Sequence, residues 1–118
     1  MAATVNPAPW HDYMVRRAAG LTDGTRLIVD FVPDRLVPTS DSFAVYLKAL
    51  EAETWPLAEQ LATAVLDDFN NELIPRWIRV SATRHEKSDF YHVVIEDRQP
   101  EWNNPALLSR LAAALPAA

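Results

Sequence analysis

The stretch LDDFNNELIPRWIRV, residues 66–80, decides the fold because it contains the end of a helix, a break and the beginning of a strand. Before the break, large apolar residues recur at four-residue steps: Leu57, Leu61, Val65, Phe69 and Leu73. This spacing puts them on one face of a helix, which we expect to begin after Thr54 with Pro56 in its first turn and to end before Pro75. After the break, the run RWIRVSAT alternates between polar and apolar residues, which predicts a strand.

The run FYHVVIE, residues 90–96, predicts a second strand of the same kind, because apolar side chains again fall on one face. Only the polar segment RHEKSD, which reads as a turn, separates it from the preceding strand. We therefore expect the two strands to pair as a hairpin. The end of the chain, NNPALLSRLAAAL, combines an asparagine cap, a proline and a stripe of leucine and alanine, which predicts a terminal helix.

The N-terminal half supplies the remaining elements. The run TRLIVDFV, residues 25–32, alternates and predicts a strand that Pro33 stops, before a turn and a short extended segment. An amphipathic helix should follow, capped by Ser40 or Asp41. Upstream, WHDYMVRRAAG, residues 10–20, predicts a short helix that ends at its glycine.

The predicted order is strand, short extended segment, helix, helix, strand, strand, which indicates an α+β fold. We expect an antiparallel four-stranded sheet with two helices on one face and an additional C-terminal helix. This single domain would cover residues 23–118 and follow an N-terminal segment of residues 1–22. Four strands cannot close a barrel alone, so two sheet edges remain, and self-association is the usual way to satisfy them.

Composition limits the classes of partner and site. A formal charge of −5 and a pI near 5.0 leave no basic stripe for phosphates, so no nucleic-acid partner is expected. The absence of cysteine removes disulfides, thiolate metal sites and thiol nucleophiles. His85, Glu86 and His92 lack the spacing of a zinc protease motif, and we predict no metal. The apolar runs are too short to cross a bilayer and the start lacks a secretion signal, which predicts a cytoplasmic protein without a membrane partner.

Three stretches together carry a family resemblance over roughly residues 23–84: LIVDFVPDR, SDSFAVYL and LDDFNNELIPRWIRV. They resemble the first strand and turn, the short helix, and the long helix with the third strand of the nitrile reductase (QueF) family. The last stretch is the most specific, because an acidic residue, a helix end, proline, arginine, an aromatic residue and a β-run recur in one order. The resemblance implies the tunnelling fold, with the order ββααββ.

The resemblance also assigns site residues. The family's Cys-Pro-x-Thr-Gly-x-Pro-Asp segment would put its aspartate at Asp23 and its nucleophilic cysteine at about Arg16, where a guanidinium cannot attack a nitrile. The family's His-Glu pair would fall on Ala58 and Glu59, which keeps the carboxylate that holds the substrate ring. Its Glu-Ser-Lys-Ser segment becomes TSDS, with Thr39 in place of the glutamate. NADPH-dependent nitrile reduction is therefore not predicted, and neither is a cofactor.

The candidate site residues each have an ordinary structural interpretation beside the functional one. We predict Asp23 and Glu59 as the catalytic pair, and as contacts to a substrate: Glu59, Arg16, Arg17, Thr39 and Ser40. Glu59 is also favoured by the helix dipole, and Asp23 before a glycine suits a turn. The two arginines are more often a solvated face, and serines at a helix start are usually caps.

These features leave three hypotheses about function. The first is a divergent enzyme that acts on a small planar heterocycle or an amide-like metabolite in a pocket between subunits of a homo-oligomer, by carboxylate acid–base chemistry such as hydrolysis, cyclisation or isomerisation. The second is a non-catalytic scaffold that would pair with a related active subunit in a hetero-oligomer. The third is a module that binds a metabolite without converting it.

Overall fold

The structure, a computed structural model, describes residues 1–111 and has nine elements in this part of the chain. The strands are β1 (Ala3–Val5), β2 (Val15–Gly20), β3 (Arg26–Val32), β4 (Leu36–Pro38), β5 (Trp77–Glu86) and β6 (Asp89–Arg98). The helices are α1 (Ser40–Glu51), α2 (Ala58–Glu72) and α3 (Pro105–Leu108).

The main sheet has four strands in the order β2-β3-β5-β6, and every neighbouring pair is antiparallel. A second, two-stranded sheet joins β1 to β4. The order β2, β3, α1, α2, β5, β6 is compatible with the predicted ββααββ tunnelling fold and confirms the α+β class. Among the described helices, none has the length and apolar character needed to span a membrane.

The core lies between the helices and one face of the main sheet. Phe69 of α2 is fully buried, and its ring centroid lies 5.5 Å from that of Phe31 on β3 and 6.0 Å from that of Tyr46 on α1. Val80 and Ala82 of β5 are buried on the same face. The four-residue spacing on α2 and the two-residue spacing on β5 thus identify the surfaces that meet in the core.

The helix predicted over residues 10–20 is wrong, because its second half is the edge strand β2. Val15, Arg17 and Ala19 are partly buried and alternate with exposed residues, as a strand on a core requires. Pairing with β3 supplies the backbone hydrogen bonds, and this tertiary contact outweighs the local helix preference of the two alanines. The main sheet therefore extends into the segment that the sequence predicts as separate.

The remaining boundaries differ by a few residues. Thr39, rather than Ser40 or Asp41, is the N-cap of α1. Helix α2 begins at Ala58, so the predicted proline precedes the helix instead of entering its first turn. Asn104 caps α3 as expected, since its Oδ1 accepts the N–H of Leu107 at 3.0 Å. α3 ends at Leu108, so the predicted helix is shorter than expected in the described residues, and residues 112–115 of it lie outside them.

A buried asparagine fastens the N-terminal segment to the domain. Asn6 is 1% exposed, and its Oδ1 accepts hydrogen bonds from the N–H of Ala8 at 2.9 Å and from the hydroxyl of Tyr13 at 2.6 Å. Its Nδ2 donates to the carbonyl of Asp34 at 2.7 Å. Arg76 adds ion pairs to Asp12 and Asp34 at 3.0 and 3.2 Å. The segment is thus held by satisfied buried polar groups.

Candidate functional site

Arg84, near the end of β5, joins two loops at one end of the main sheet. Its Nε donates to Thr25 Oγ1 at 3.0 Å, and its terminal nitrogens donate to the carbonyls of Pro56 at 3.1 Å and Trp55 at 2.7 Å. Nη2 also lies 3.6 Å from Asp23 Oδ2. Because a guanidinium presents several donors in a fixed plane, Arg84 ties the turn between β2 and β3 to the loop before α2.

Asp23 lies in the turn between β2 and β3, with its carboxylate about half exposed. Its Oδ1 accepts the backbone N–H of Thr25 at 2.8 Å. Partial burial raises the pKa of Asp23, but the hydrogen bonds from Thr25 and the charge of Arg84 outweigh burial. The pKa of Asp23 therefore lies below its ordinary value, and the side chain is ionised at neutral pH.

Glu59 is the second residue of α2, and its side chain is exposed. The hydroxyl of Tyr91, on β6, donates to Glu59 Oε2 at 2.7 Å. This hydrogen bond lowers the pKa of Glu59, and the charge of Arg84 lowers it further. Its place in the first helical turn also favours a negative charge.

Asp23, Glu59, Arg84 and Tyr91 together form what we call the carboxylate cluster, which is open to solvent in a single chain. Two ionised carboxylates can accept N–H donors from the edge of a heterocycle or from an amide. A general base works best with a pKa near the operating pH, and both of these carboxyls have lowered values. The cluster is thus better suited to binding than to proton transfer.

Replacing Arg84 with methionine is expected to lower the free energy of unfolding by about 2 kcal/mol, because two carbonyls and a buried hydroxyl lose a charged donor. The pKa values of Asp23 and Glu59 should rise, since the guanidinium charge lowers both. Urea unfolding measures the first effect, and an NMR titration of the carboxyl carbons measures the second.

Arg84→Lys is the matched control, because it keeps the charge and loses the planar set of donors. It should leave the two pKa values nearly as low as in the parent chain while restoring only part of the stability. Carboxyl pKa values that do not move in Arg84→Met would contradict the assigned role of Arg84.

Arg16 lies on the face of the main sheet opposite the core helices, where it forms a salt bridge with the buried carboxylate of Asp30. Its Nε donates to Asp30 Oδ1 at 2.6 Å, and Arg79 Nη2 donates to Asp30 Oδ2 at 3.3 Å. Asp30 is 0% exposed. The hydrogen bond to Asp30 raises the pKa of Arg16. Arg16 therefore acts as a structural partner of Asp30 in this chain.

These residues belong to a line that crosses the whole sheet. Arg16 is directly opposite Asp30, Asp30 is opposite Arg79, and Arg79 is opposite Glu96 of β6. Glu96 also accepts the indole N–H of Trp77 at 2.7 Å. We call Arg16, Asp30, Arg79 and Glu96 the charge row.

The other predicted contacts lie away from the carboxylate cluster. The guanidinium carbon of Arg17 is 4.6 Å from the ring centroid of Phe43, a cation–π contact at the first turn of α1. Thr39 and Ser40 lie at that same end of α1, whereas Glu51 at its other end accepts the N–H of Thr22, beside Asp23. Twelve helical residues span about 18 Å. The structure thus brings Asp23 and Glu59 to one end, and Arg17, Thr39 and Ser40 to the other.

A cavity of about 540 Å³ opens beside α1, and Thr39 is one of its lining residues together with Val45 and Tyr46.

Within residues 1–111 no group of three or more metal-ligating side chains is present. His85 stacks on Phe90 instead, with ring centroids 4.7 Å apart.

Arg84 and Tyr91 belong to the carboxylate cluster but are not among the site residues predicted from the sequence. Arg84 falls in the run RHEKSD, which the sequence predicts as a turn, but β5 continues through Glu86. The signal was the two-residue alternation, which places Arg84 on the same face as Ala82. Tyr91 is predicted on a strand, but nothing local indicates that it reaches a helix 32 residues away in sequence.

The sequence of the chain is similar to those of known reductases. No protein-family model matches the chain. The chain is 28% identical to the NADPH-dependent 7-cyano-7-deazaguanine reductase of Acidithiobacillus ferrooxidans, in two strains, over 90% of this chain and 82% of the relative. It is 33% identical to the reductase of the same name from Nitratidesulfovibrio vulgaris, over 52% of this chain and 36% of that relative. The chain is a distant relative of these reductases.

The predicted resemblance to the reductases is therefore confirmed, and it extends across most of the chain. The sequence contains no cysteine. The thiol that the resemblance assigns near position 16 is accordingly missing, and the arginine at that position binds Asp30.

Proposed function

We propose that this chain is a reductase-like tunnelling-fold protein that binds a small planar heterocycle or an amide-like metabolite in a cleft between subunits. Glu59 and Asp23 would accept N–H donors of the ligand, as charged acceptors. The observation that supports this most is geometric: Asp23 lies 3.6 Å from Arg84, and Tyr91, directly opposite Arg84 in the sheet, donates to Glu59 at 2.7 Å. The oligomer would be built from copies of this chain or would include a related subunit.

Nitrile reduction is not part of the proposal. Attack on a nitrile requires a thiolate or a comparable nucleophile, and the chain has no cysteine. Arg16 has no electron pair to donate, and its guanidinium is bound to Asp30.

Acid–base catalysis by Asp23 and Glu59 is the second candidate, in reactions such as hydrolysis, cyclisation or isomerisation. What favours it is that Arg84, 3.6 Å from Asp23 Oδ2, also acts electrostatically on Glu59, so that one guanidinium influences both carboxylates. What weakens it is the direction of both pKa shifts, which makes each carboxylate a poorer base. Binding without conversion therefore ranks first.

Replacing Glu59 with glutamine is expected to weaken ligand binding about tenfold to a hundredfold, because a charged acceptor becomes a neutral group with its own donors. The probes are 7-cyano-7-deazaguanine, guanine, pterin and nicotinamide. A thermal-shift screen of these four identifies the binder, and isothermal titration calorimetry then measures the affinities of the parent and variant chains. Glu59 is exposed, so the variant should fold normally.

Asp67→Asn is the matched control, because it removes an exposed carboxylate from the same helix without touching the carboxylate cluster. Tyr91→Phe removes the hydroxyl that competes for Glu59 and should leave binding equal or tighter. Equal affinities of the parent chain and Glu59→Gln for every probe would reject the binding role. That outcome would leave the non-catalytic scaffold or partner subunit as the function.

A further inference from the structure

The cavity of about 540 Å³ beside α1, which we call the α1 cavity, has mostly apolar walls. One wall is the outer face of α1, where Val45 is 67% exposed and Ala49 is also exposed. The other wall is formed by Met1 and Ala2, and the N–H of Thr39 donates to the carbonyl of Ala2 at 3.1 Å. The volume of the α1 cavity lies in the range of small-molecule sites in proteins.

The polar groups that line the α1 cavity have mainly acceptor capacity left. The hydroxyl of Ser42, which is 6% exposed, donates to the carbonyl of Thr39 at 2.9 Å, and that of Tyr46 donates to Asp68 Oδ2 at 2.7 Å. Burial and the carboxylate of Asp68 raise the pKa of Tyr46, so its hydroxyl keeps this proton. Each hydroxyl has one proton, so both oxygens can only accept a further hydrogen bond, and the carboxylate of Asp41 accepts only. A ligand that supplies donors therefore suits this site.

The charge around the α1 cavity favours a cation. Among residues 1–111, neither Asp41, which lines the cavity, nor Asp68 forms an ion pair. Glu72 contacts the N-terminal ammonium of Met1, which offsets its charge. Lys48 lies about two helical turns from Asp41 and is not a lining residue. Two carboxylates thus remain without a cation beside an apolar wall, and a positively charged ligand is complementary to them.

We propose that the α1 cavity binds a small organic cation, an ammonium group attached to an apolar body. The ammonium donates to the carboxylate of Asp41 and to Ser42 Oγ at the start of α1, and the body lies against Val45, Ala49 and the ring of Tyr46. An ammonium has three donors and no acceptor, which matches the acceptors that remain there. This site is separate from the carboxylate cluster and does not depend on the function proposed for it.

Phenethylamine, phenethyl alcohol and phenylacetate test the site, because they share one ring and differ in charge. Isothermal titration calorimetry with the full chain measures their affinities. The amine is expected to bind about five- to tenfold more tightly than the alcohol, since hydrogen bonds between charged groups are stronger than those of a neutral donor. Phenylacetate should bind more weakly than the alcohol, because its charge is like that of Asp41. No binding of the amine up to about 10 mM, or equal affinities for the amine and the alcohol, would overturn the proposal.

Replacing Asp41 with asparagine is expected to lower the affinity for phenethylamine about fivefold and to leave that for phenethyl alcohol nearly unchanged, since the apolar walls remain. Asp41 is exposed, so the variant should fold normally, which circular dichroism verifies. Asp89→Asn is the matched control, because it removes an exposed carboxylate at the start of β6, and it should bind like the parent chain. A preference for the amine that persists in Asp41→Asn would contradict the assigned role of Asp41.

Replacing Val45 with lysine places a long side chain and a second ammonium in the α1 cavity. Binding of phenethylamine should weaken at least about tenfold, because the site is filled and its charge is offset. Val94→Lys makes the same change at an exposed valine on β6 and should bind like the parent chain. Equal affinities of these two variants for the amine would show that the ligand does not occupy the α1 cavity.

Glu59→Gln distinguishes this site from the carboxylate cluster. It should leave the affinity for phenethylamine unchanged, because Glu59 is bound by Tyr91 and is not a lining residue of the α1 cavity. A loss of amine binding in Glu59→Gln together with none in Asp41→Asn would assign the amine to the carboxylate cluster and reject the proposal. Failure here is thus distinguishable from failure of the heterocycle experiment, since the ring of these probes carries no N–H donor.

Discussion

Replacing Asp30 with alanine is expected to lower the free energy of unfolding by about 3–5 kcal/mol. The carboxylate is 0% exposed, and it accepts hydrogen bonds from Arg16 at 2.6 and 3.2 Å and from Arg79 at 3.3 Å. Its removal takes away the buried carboxylate that Arg16 and Arg79 share. Urea unfolding followed by circular dichroism measures the loss.

A triple variant distinguishes two quantities: the stability lost when buried charges are left uncompensated, and the net stability that the intact ion pairs contribute. Replacing Arg16 and Arg79 with methionine and Asp30 with leucine removes all three charges together and should recover most of the lost stability. Asp67→Ala, at an exposed position, should change the free energy of unfolding by less than about 0.5 kcal/mol. A loss below about 1 kcal/mol for Asp30→Ala would show that the buried charges are not coupled.

Replacing Phe69 with alanine should cost about 3–5 kcal/mol, because the fully buried ring joins both helices to the main sheet. It contacts Phe31 of β3 at 5.5 Å and Tyr46 of α1 at 6.0 Å between centroids, so its removal leaves a cavity between three elements. Denaturant unfolding measures the change, and the slope of the transition verifies that the variant still unfolds in two states.

Phe90→Ala provides the comparison, since that ring is 43% exposed and lies at the start of β6. Its loss should be below about 1 kcal/mol, because an exposed ring leaves no cavity. Similar losses at the two positions would mean that the core does not lie between the helices and the sheet, contrary to the packing described above.

Much of the fold can be predicted from the sequence because its strongest signals are periodic. The four-residue spacing that ends at Leu73 and the two-residue alternation around Ile78 both report one buried face, and the structure buries those faces together. β2 could not be predicted in this way. Two arginines and two alanines do not distinguish a helix from a strand, and only the hydrogen bonds of β3 decide between them.

The candidate site can be predicted less well, because its geometry depends on contacts between distant residues. Asp23 and Glu59 are identified by resemblance, but Arg84 is the residue that relates them, and it contacts both loops across the sheet. The binding of Arg16 to Asp30 likewise requires the register between β2 and β3, which composition does not reveal.

The bond between Arg16 and Asp30 has an evolutionary consequence. If an ancestor had a cysteine at that position, as the resemblance implies, a single reversion would leave the buried Asp30 with fewer donors and the sheet less stable. Return of a thiol at position 16 by a single substitution would therefore cost stability, since it removes the hydrogen bonds of Arg16 to Asp30 and keeps the one from Arg79.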